Sequence, residues 1–307
     1  MEDYPFNLID QQSEPLQDPS VLLRRPFTKS GVSFREDAPR FVPGDQLKES
    51  INTAIAVGDP LLITGEPGTG KTQAAYYIAY RLGIEPIIHF QVKSDSTSHD
   101  LLYHFDSVRY FHDAHFQGQL QEKSQYLERG PMWQAIKSPT PRVMLIDEID
   151  KAPRDFPNDL LFELDKMEFF VPEIGEPVKC EERGNRPIVV ITSNSERRLP
   201  EPFLRRCIYH RIRFDDEILR QAVETRRDEY AALSPEFLKM AMQRFLALRD
   251  ANLRKQPATA EFLVWLKVLA LAAGTYPEQL NTDLSQLPYL GVLLKDHQDF
   301  DDVGAKR

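Results

Sequence analysis

The residues of this sequence best suited to chemistry are concentrated in one octet, "GEPGTGKT", Gly65 to Thr72. Gly65, Gly70, Lys71 and Thr72 satisfy G-x-x-x-x-G-K-[ST], the spacing of a loop that wraps phosphate. Glycines at 65, 68 and 70 can take backbone angles closed to other residues, so consecutive N–H groups can turn inward on an anion at the positive end of a helix. Pro67 and Thr69 complete that loop. Lys71 is expected to reach the outer phosphates of a nucleotide, and the Thr72 hydroxyl to ligate Mg2+. A second cluster, "RVMLIDEIDKAP", ends four apolar residues, Val143 to Ile146, in the acid pair Asp147 and Glu148. Asp147 is expected to hold the Mg2+ ion and Glu148 to polarise an attacking water. A third apolar run closes on Thr192, Ser193 and Asn194, and Asn194 can orient that water. Further on, "LPEPFLRRC" sets Arg205 and Arg206 at the end of a short helix.

Groups so far apart in sequence need elements that deliver them to one edge. Leu61 to Ile63 read as a buried strand and Gln73 to Leu82 as a helix, giving strand, loop and helix in the order a phosphate loop requires. The segment 44–58 spaces Leu47, Ile51 and Ile55 four apart, an amphipathic helix just before that strand. Ile87 to Val92 give a second strand, and the apolar runs at 143–146 and from 187 give two more. Strands buried on both faces belong to a parallel sheet, whose carboxyl edge is where an open α/β fold holds its ligand. Towards the C terminus, Phe237, Ala241 and Phe245 form one apolar stripe at helical spacing, and Phe262, Leu266 and Leu269 another. The expected organisation is an extended, proline-containing arm over 1–40, an α/β nucleotide-binding domain over 41–214, a helical lid over 215–290 and a solvated tail over 291–307.

Composition bounds the function classes. The chain has 307 residues, 41% hydrophobic and 28% charged, the make-up of an ordinary globular protein with room for two domains. A net charge of −9 argues against a surface built mainly for nucleic acid. Cys180 and Cys207 have neither metal-ligand spacing nor a disulfide framework. The acidic start and the lack of any apolar run near eighteen residues lead us to expect a reduced, cytoplasmic setting with no membrane span.

The motifs "GEPGTGKT", "LIDEIDKAP", "ITSN" and "LPEPFLRRC", in this order and spacing, resemble those of AAA+ ATPases, most closely the MoxR-like branch. The resemblance covers roughly residues 41–290. It implies an α/β P-loop NTPase core with a parallel sheet flanked by helices, a small helical lid, and ATP with Mg2+ as ligands. On it, Gly65 to Thr72 are the phosphate loop, Asp147 and Glu148 the Walker B acids, Asn194 the first sensor, and Arg206 the arginine finger, with Arg205 as second choice. It further implies a homo-oligomer, usually a hexameric ring, in which each finger completes its neighbour's site. The partner it implies is a protein client, commonly one with a von Willebrand A domain.

A nucleic-acid motor or McrB-like restriction NTPase shares the core and is the alternative. A P-loop small-molecule kinase is disfavoured by Asn194 and Arg206. The family's second sensor is an arginine after a proline, whereas here Ala258 follows Pro257, leaving Arg254 or Lys255 as substitutes. Two inserts fit the MoxR-like branch. Residues 99–116 alternate Val108, Tyr110 and His112 against Arg109 and Phe111, the period of a hairpin, and 169–186 read as a second hairpin. His99, His104, His112 and His115 fall in the first insert, where packing on Tyr and Phe is the favoured reading over a metal site.

Overall fold

The computed structural model describes residues 20, 31–117, 121–272, 279–281 and 283–305. Most of the expected N-terminal arm lies outside them. Its last part, 31–40, is helical where an extended chain was expected: α1 (Gly31–Asp37) leads into a single 3-10 turn, Ala38–Arg40. Pro39 sits in the first turn of that element, where its missing N–H breaks no helical bond. The described chain divides into two compact units, Arg35–Arg213 and one that resumes at Phe214.

The first unit carries, in order, α2 (Asp45–Val57), β1 (Leu61–Thr64), α3 (Lys71–Leu82), β2 (Ile88–Gln91), α4 (Ser98–Leu102), β3 (Tyr103–Phe105), α5 (Ser107–His112), β4 (Leu127–Arg129), α6 (Pro131–Ile136) and β5 (Val143–Asp147). It continues with α7 (Phe156–Asp159), α8 (Leu161–Lys166), β6 (Glu168–Val171), β7 (Glu176–Lys179), β8 (Ile188–Ser193), α9 (Glu201–Leu204) and β9 (Ile208–Arg211). Five strands form a wholly parallel sheet in the order β2-β5-β8-β1-β9.

Apolar residues on successive positions of its strands feed opposite faces, as a pleat with helices on both sides demands. Leu62, Met144, Ile146, Val189 and Ile191 pack into one layer with Met132, Trp133 and Phe156. Leu61, Ile63, Val143, Leu145 and Val190 pack into the other with Leu47, Ile51, Ala75 and Ile78 of α2 and α3. The carboxyl ends of β1, β5 and β8 are thereby fixed side by side, with Ile63 opposite Thr192 and Ile146 opposite Ile191.

The second insert is a two-stranded antiparallel pair, β6 with β7, in register from Glu168 opposite Lys179 to Val171 opposite Glu176. The first insert departs from the hairpin expected over 99–116. Val108 to His112 lie in helix α5, and β3 pairs instead with the distant β4, Tyr103 opposite Arg129. The cause is a local cap: the Asp106 carboxylate accepts the Arg109 N–H at 2.9 Å and starts a helix whose Val108 and Phe111 stay exposed. Alternation of apolar and polar residues does not decide the conformation of a segment that buries neither face.

The second unit holds α10 (Asp216–Glu224), α11 (Pro235–Arg249), α12 (Thr259–Leu271) and α13 (His297–Ala305). Ala241 and Phe245 of α11 and Phe262, Leu266 and Leu269 of α12 are buried in one cluster. Residues 291–305, the described part of the tail expected to be solvated, are packed into the second unit. Leu293, Leu294 and Val303 join that cluster, and the fully buried Asp299 carboxylate accepts the backbone N–H groups of Arg254 and Lys255 at 2.7 and 3.1 Å. A buried carboxylate that binds two backbone donors offsets its own desolvation, so the acid is part of the fold. No helix among the described residues is long and apolar enough to cross a membrane.

Candidate functional site

The glycine-rich loop runs from the end of β1 into the first turn of α3. Gly70 has φ of 90°, and a Cβ there would meet the Phe41 ring at 2.9 Å; at Gly65 a Cβ would meet the Ile212 carbonyl oxygen at 2.8 Å. Only glycine fits those two positions, which explains the spacing in physical terms. Thr69 Oγ1 donates to the Glu66 carbonyl at 2.8 Å, closing the loop on itself. Lys71 is buried, and its ammonium donates to the carbonyls of Gly65 and Glu66 at 2.9 and 2.8 Å. Burial pulls the Lys71 pKa below its ordinary value, against the opposing field of Asp147, Asp150, Glu148 and Glu66.

Across from the loop, the end of β5 supplies two acids with different surroundings. Asp147 is buried and accepts the Thr192 hydroxyl at 2.5 Å and the Thr72 hydroxyl at 3.0 Å. Burial alone would raise its pKa, but hydrogen bonds from His89, Thr192 and Thr72 outweigh that and hold it below the usual carboxylate range. Glu148 sits in the left-handed region, φ 61° and ψ 50°, which turns its side chain away from the strand's course. Its Oε1 accepts the Asn194 amide at 3.0 Å, and its Oε2 accepts the Gln91 amide at 2.7 Å and the Lys151 ammonium at 2.5 Å. Thr192 ties the two acids together, since its hydroxyl oxygen also accepts the Glu148 N–H at 2.8 Å.

Asn194 is anchored in turn by Asp150, whose buried carboxylate accepts the Asn194 and Glu196 N–H groups at 3.1 and 2.9 Å. Thr72, Asp147, Glu148 and Asn194, joined through Thr192, therefore form one hydrogen-bonded cluster at the sheet's carboxyl edge, while Lys71 is held by the loop carbonyls. Arg205 and Arg206 do not contact it. Arg206 Nε donates to Asp165 at 2.9 Å and its Nη1 to the Pro202 carbonyl at 3.0 Å, while Arg205 is 80% exposed beside Glu201.

Thr72 and Asp147 offer a hydroxyl and an ionised carboxylate, hard oxygen donors of the kind Mg2+ takes, and the shared hydrogen bond brings them within reach of one ion. Among the described residues no group of three or more His, Cys, Asp or Glu could hold a further metal. In the first insert His99 packs edge-on against Tyr103, with ring centroids 5.9 Å apart, and His112 lies 3.4 Å from Asp113.

Four contributors escaped sequence reasoning: His89 and Gln91 on the edge strand β2, Asp150, and Lys151. The strand "IHFQ" carries a signal, because polar residues two apart share one face of an otherwise apolar run. That face meets the acids only through the parallel register that sets Gln91 opposite Asp147.

A parallel sheet in this order, with a glycine-rich loop after β1 and acids at the end of β5, one strand further across the sheet beyond β8, defines a P-loop NTPase fold. Residues 60–207 match the family model of the AAA domain, dynein-related subfamily, so this stretch of the chain is an AAA domain. Among solved structures the chain is similar to NtrX from Brucella abortus in complex with ADP, with a TM-score of 0.51 and 16% identity over 85% of this chain. At that identity the likeness shows the fold. The match spans 57% of the NtrX chain, somewhat over half its length. No curated protein matches the chain.

Proposed function

We propose that the chain is an ATP-hydrolysing motor of MoxR type that works as a homo-oligomeric ring and remodels or activates a protein partner, one with a von Willebrand A domain being the family's usual choice. The observation that carries the hydrolytic part is Glu148, held by Asn194 and Gln91 beside the Thr72–Asp147 pair and the phosphate loop. The backbone N–H groups from Gly65 through Pro67, Gly68, Thr69 and Gly70 cradle the phosphates, except that Pro67 has none to give and serves to stiffen the turn. Lys71 leaves its loop carbonyls for the outer phosphates of ATP.

Thr72 and Asp147 would hold Mg2+, which when bound neutralises charge on the phosphate oxygens. Glu148 takes a proton from a water that Asn194 orients; the water oxygen bonds to the γ-phosphorus as the bond to the β-phosphate's bridging oxygen breaks, leaving ADP and phosphate. The ADP in the NtrX structure supports the adenine nucleotide as the ligand class.

Arg206 is assigned to the neighbouring subunit's γ-phosphate, with Arg205 as the substitute. Its pairing with Asp165 and Pro202, away from its own loop, supports a role in trans. A guanidinium on the transferring phosphoryl group is worth about a thousand- to a hundred-thousandfold in rate. The test is complementation. Arg206→Ala and Glu148→Gln, each inactive alone, should recover part of the ATPase when mixed, with labelled-subunit exchange showing that mixed rings form. Mixed rings without activity would refute the trans assignment. Stimulation of the wild-type ATPase by DNA would replace the protein client with a nucleic acid.

A further inference from the structure

Asp147 is held on three sides, and one of these holds is itself buttressed. Thr72 and Tyr76 lie one helical turn apart on α3 and so share a face. Thr72 reaches Asp147 directly, at 3.0 Å. Tyr76 reaches it through His89: the Tyr76 hydroxyl lies 3.2 Å from His89 Nδ1, and His89 Nε2 lies 3.4 Å from Asp147 Oδ2. The two rings stand edge to face, 83° apart with centroids at 6.2 Å, so the imidazole is fixed by packing as well as by the hydroxyl. Thr192 takes Asp147 Oδ1 from the opposite side. Edge strand β2 thus gives one residue to each acid, His89 to Asp147 and Gln91 to Glu148.

A phenol that donates to Nδ1 leaves the proton of a neutral imidazole on Nε2, the nitrogen that faces the carboxylate. A carboxylate that binds a small hard cation must present its free lone pairs in one orientation, and groups that hydrogen-bond to such ligands set that orientation.

We propose that His89, held in its Nε2–H form by Tyr76, is a positioning residue that orients Asp147 for the divalent cation. The inference rests on the reading of Thr72 and Asp147 as the cation's ligands. It concerns cation affinity, and nucleotide held by the loop without metal should not depend on it.

The experiment measures Mn2+ binding to the ADP-loaded full chain by electron paramagnetic resonance, with ADP affinity in EDTA as a parallel readout. His89→Ala should weaken Mn2+ roughly ten- to a hundredfold, the usual cost of losing a group that hydrogen-bonds to a metal ligand. Its ADP affinity in EDTA should stay at the wild-type value. His89→Gln, whose amide can reach the same oxygen, should recover most of the loss, and Tyr76→Phe should fall between.

Nitrogen-15 spectra of the imidazoles give a test that needs no variant activity or stability: His89 should be protonated at Nε2 and bare at Nδ1 in the neutral form. The proposal is overturned if His89→Ala keeps wild-type Mn2+ affinity while Asp147→Asn loses it, or if the neutral proton sits on Nδ1. Should Asp147→Asn itself keep wild-type affinity, the cation site is elsewhere and both readings fall.

Discussion

Thr192→Val is the most informative single change to the hydrogen-bonded cluster, because it keeps the volume and β-branching of a fully buried strand residue and removes only the hydroxyl. That hydroxyl donates to Asp147 at 2.5 Å and accepts the Glu148 N–H at 2.8 Å. A hydrogen bond to a charged partner contributes about 1.5–3 kcal/mol, and a buried donor left without a partner costs about 1–3 kcal/mol. The two losses share one site and do not add fully, so we expect a destabilisation of roughly 2–4 kcal/mol. In a domain of this size each kcal/mol moves Tm by about 2–4 °C, giving a drop of roughly 4–16 °C. The assay is thermal unfolding without nucleotide, with Thr192→Ser as control. Serine keeps the hydroxyl and gives up one methyl, about 1 kcal/mol. A valine variant as stable as wild type, or a serine variant as damaged as valine, would refute the coupling of the two acids through this hydroxyl.

Two further outcomes follow from neighbouring groups. Asp150→Ala strips the acceptor from the Asn194 and Glu196 N–H groups, and should lower both Tm and ATP turnover, whereas Asp150→Asn, which keeps one acceptor, should do less harm in both assays. His210, buried on β9 with its Nδ1 3.1 Å from Ser50 Oγ, has its pKa pushed down by burial. Its unfolded form therefore binds the proton more readily, and stability should be flat above about pH 6.5 and fall below it. Denaturant titrations from pH 8 to 5 on wild type and His210→Gln test this; an equally steep fall in the variant would assign the loss to other groups.

How much of this was legible in the sequence depended on whether the cause was local. The glycine-rich turn between β1 and α3 could be read because its glycine positions follow from backbone angles and close approach, as at Gly70 against Phe41. The central strands could be read because a strand buried on both faces leaves an uninterrupted apolar run, as Val143 to Ile146 do. His89 and Gln91 could not, since their meeting with Asp147 and Glu148 is made by the pairing of β2 with β5 and not by anything adjacent in the chain. The α5 helix was obscured by an accidental period of two in "VRYFH", although the Asp106 cap that starts it was present in the sequence. The C-terminal segment misled in the opposite sense. Its acids look solvated, yet Asp299 is an internal acceptor for Arg254 and Lys255.

The central claim is that this site hydrolyses a nucleoside triphosphate with Glu148 as the base. It is tested most directly by measuring ATP binding and phosphate release on wild type and Glu148→Gln side by side. Glutamine keeps the shape and one acceptor for Asn194 but cannot take a proton from water. The account predicts closely similar ATP affinities and a turnover lower in the variant by roughly a hundred- to ten-thousandfold. Near-normal phosphate release from Glu148→Gln, or a wild-type chain that binds no ATP, would contradict it.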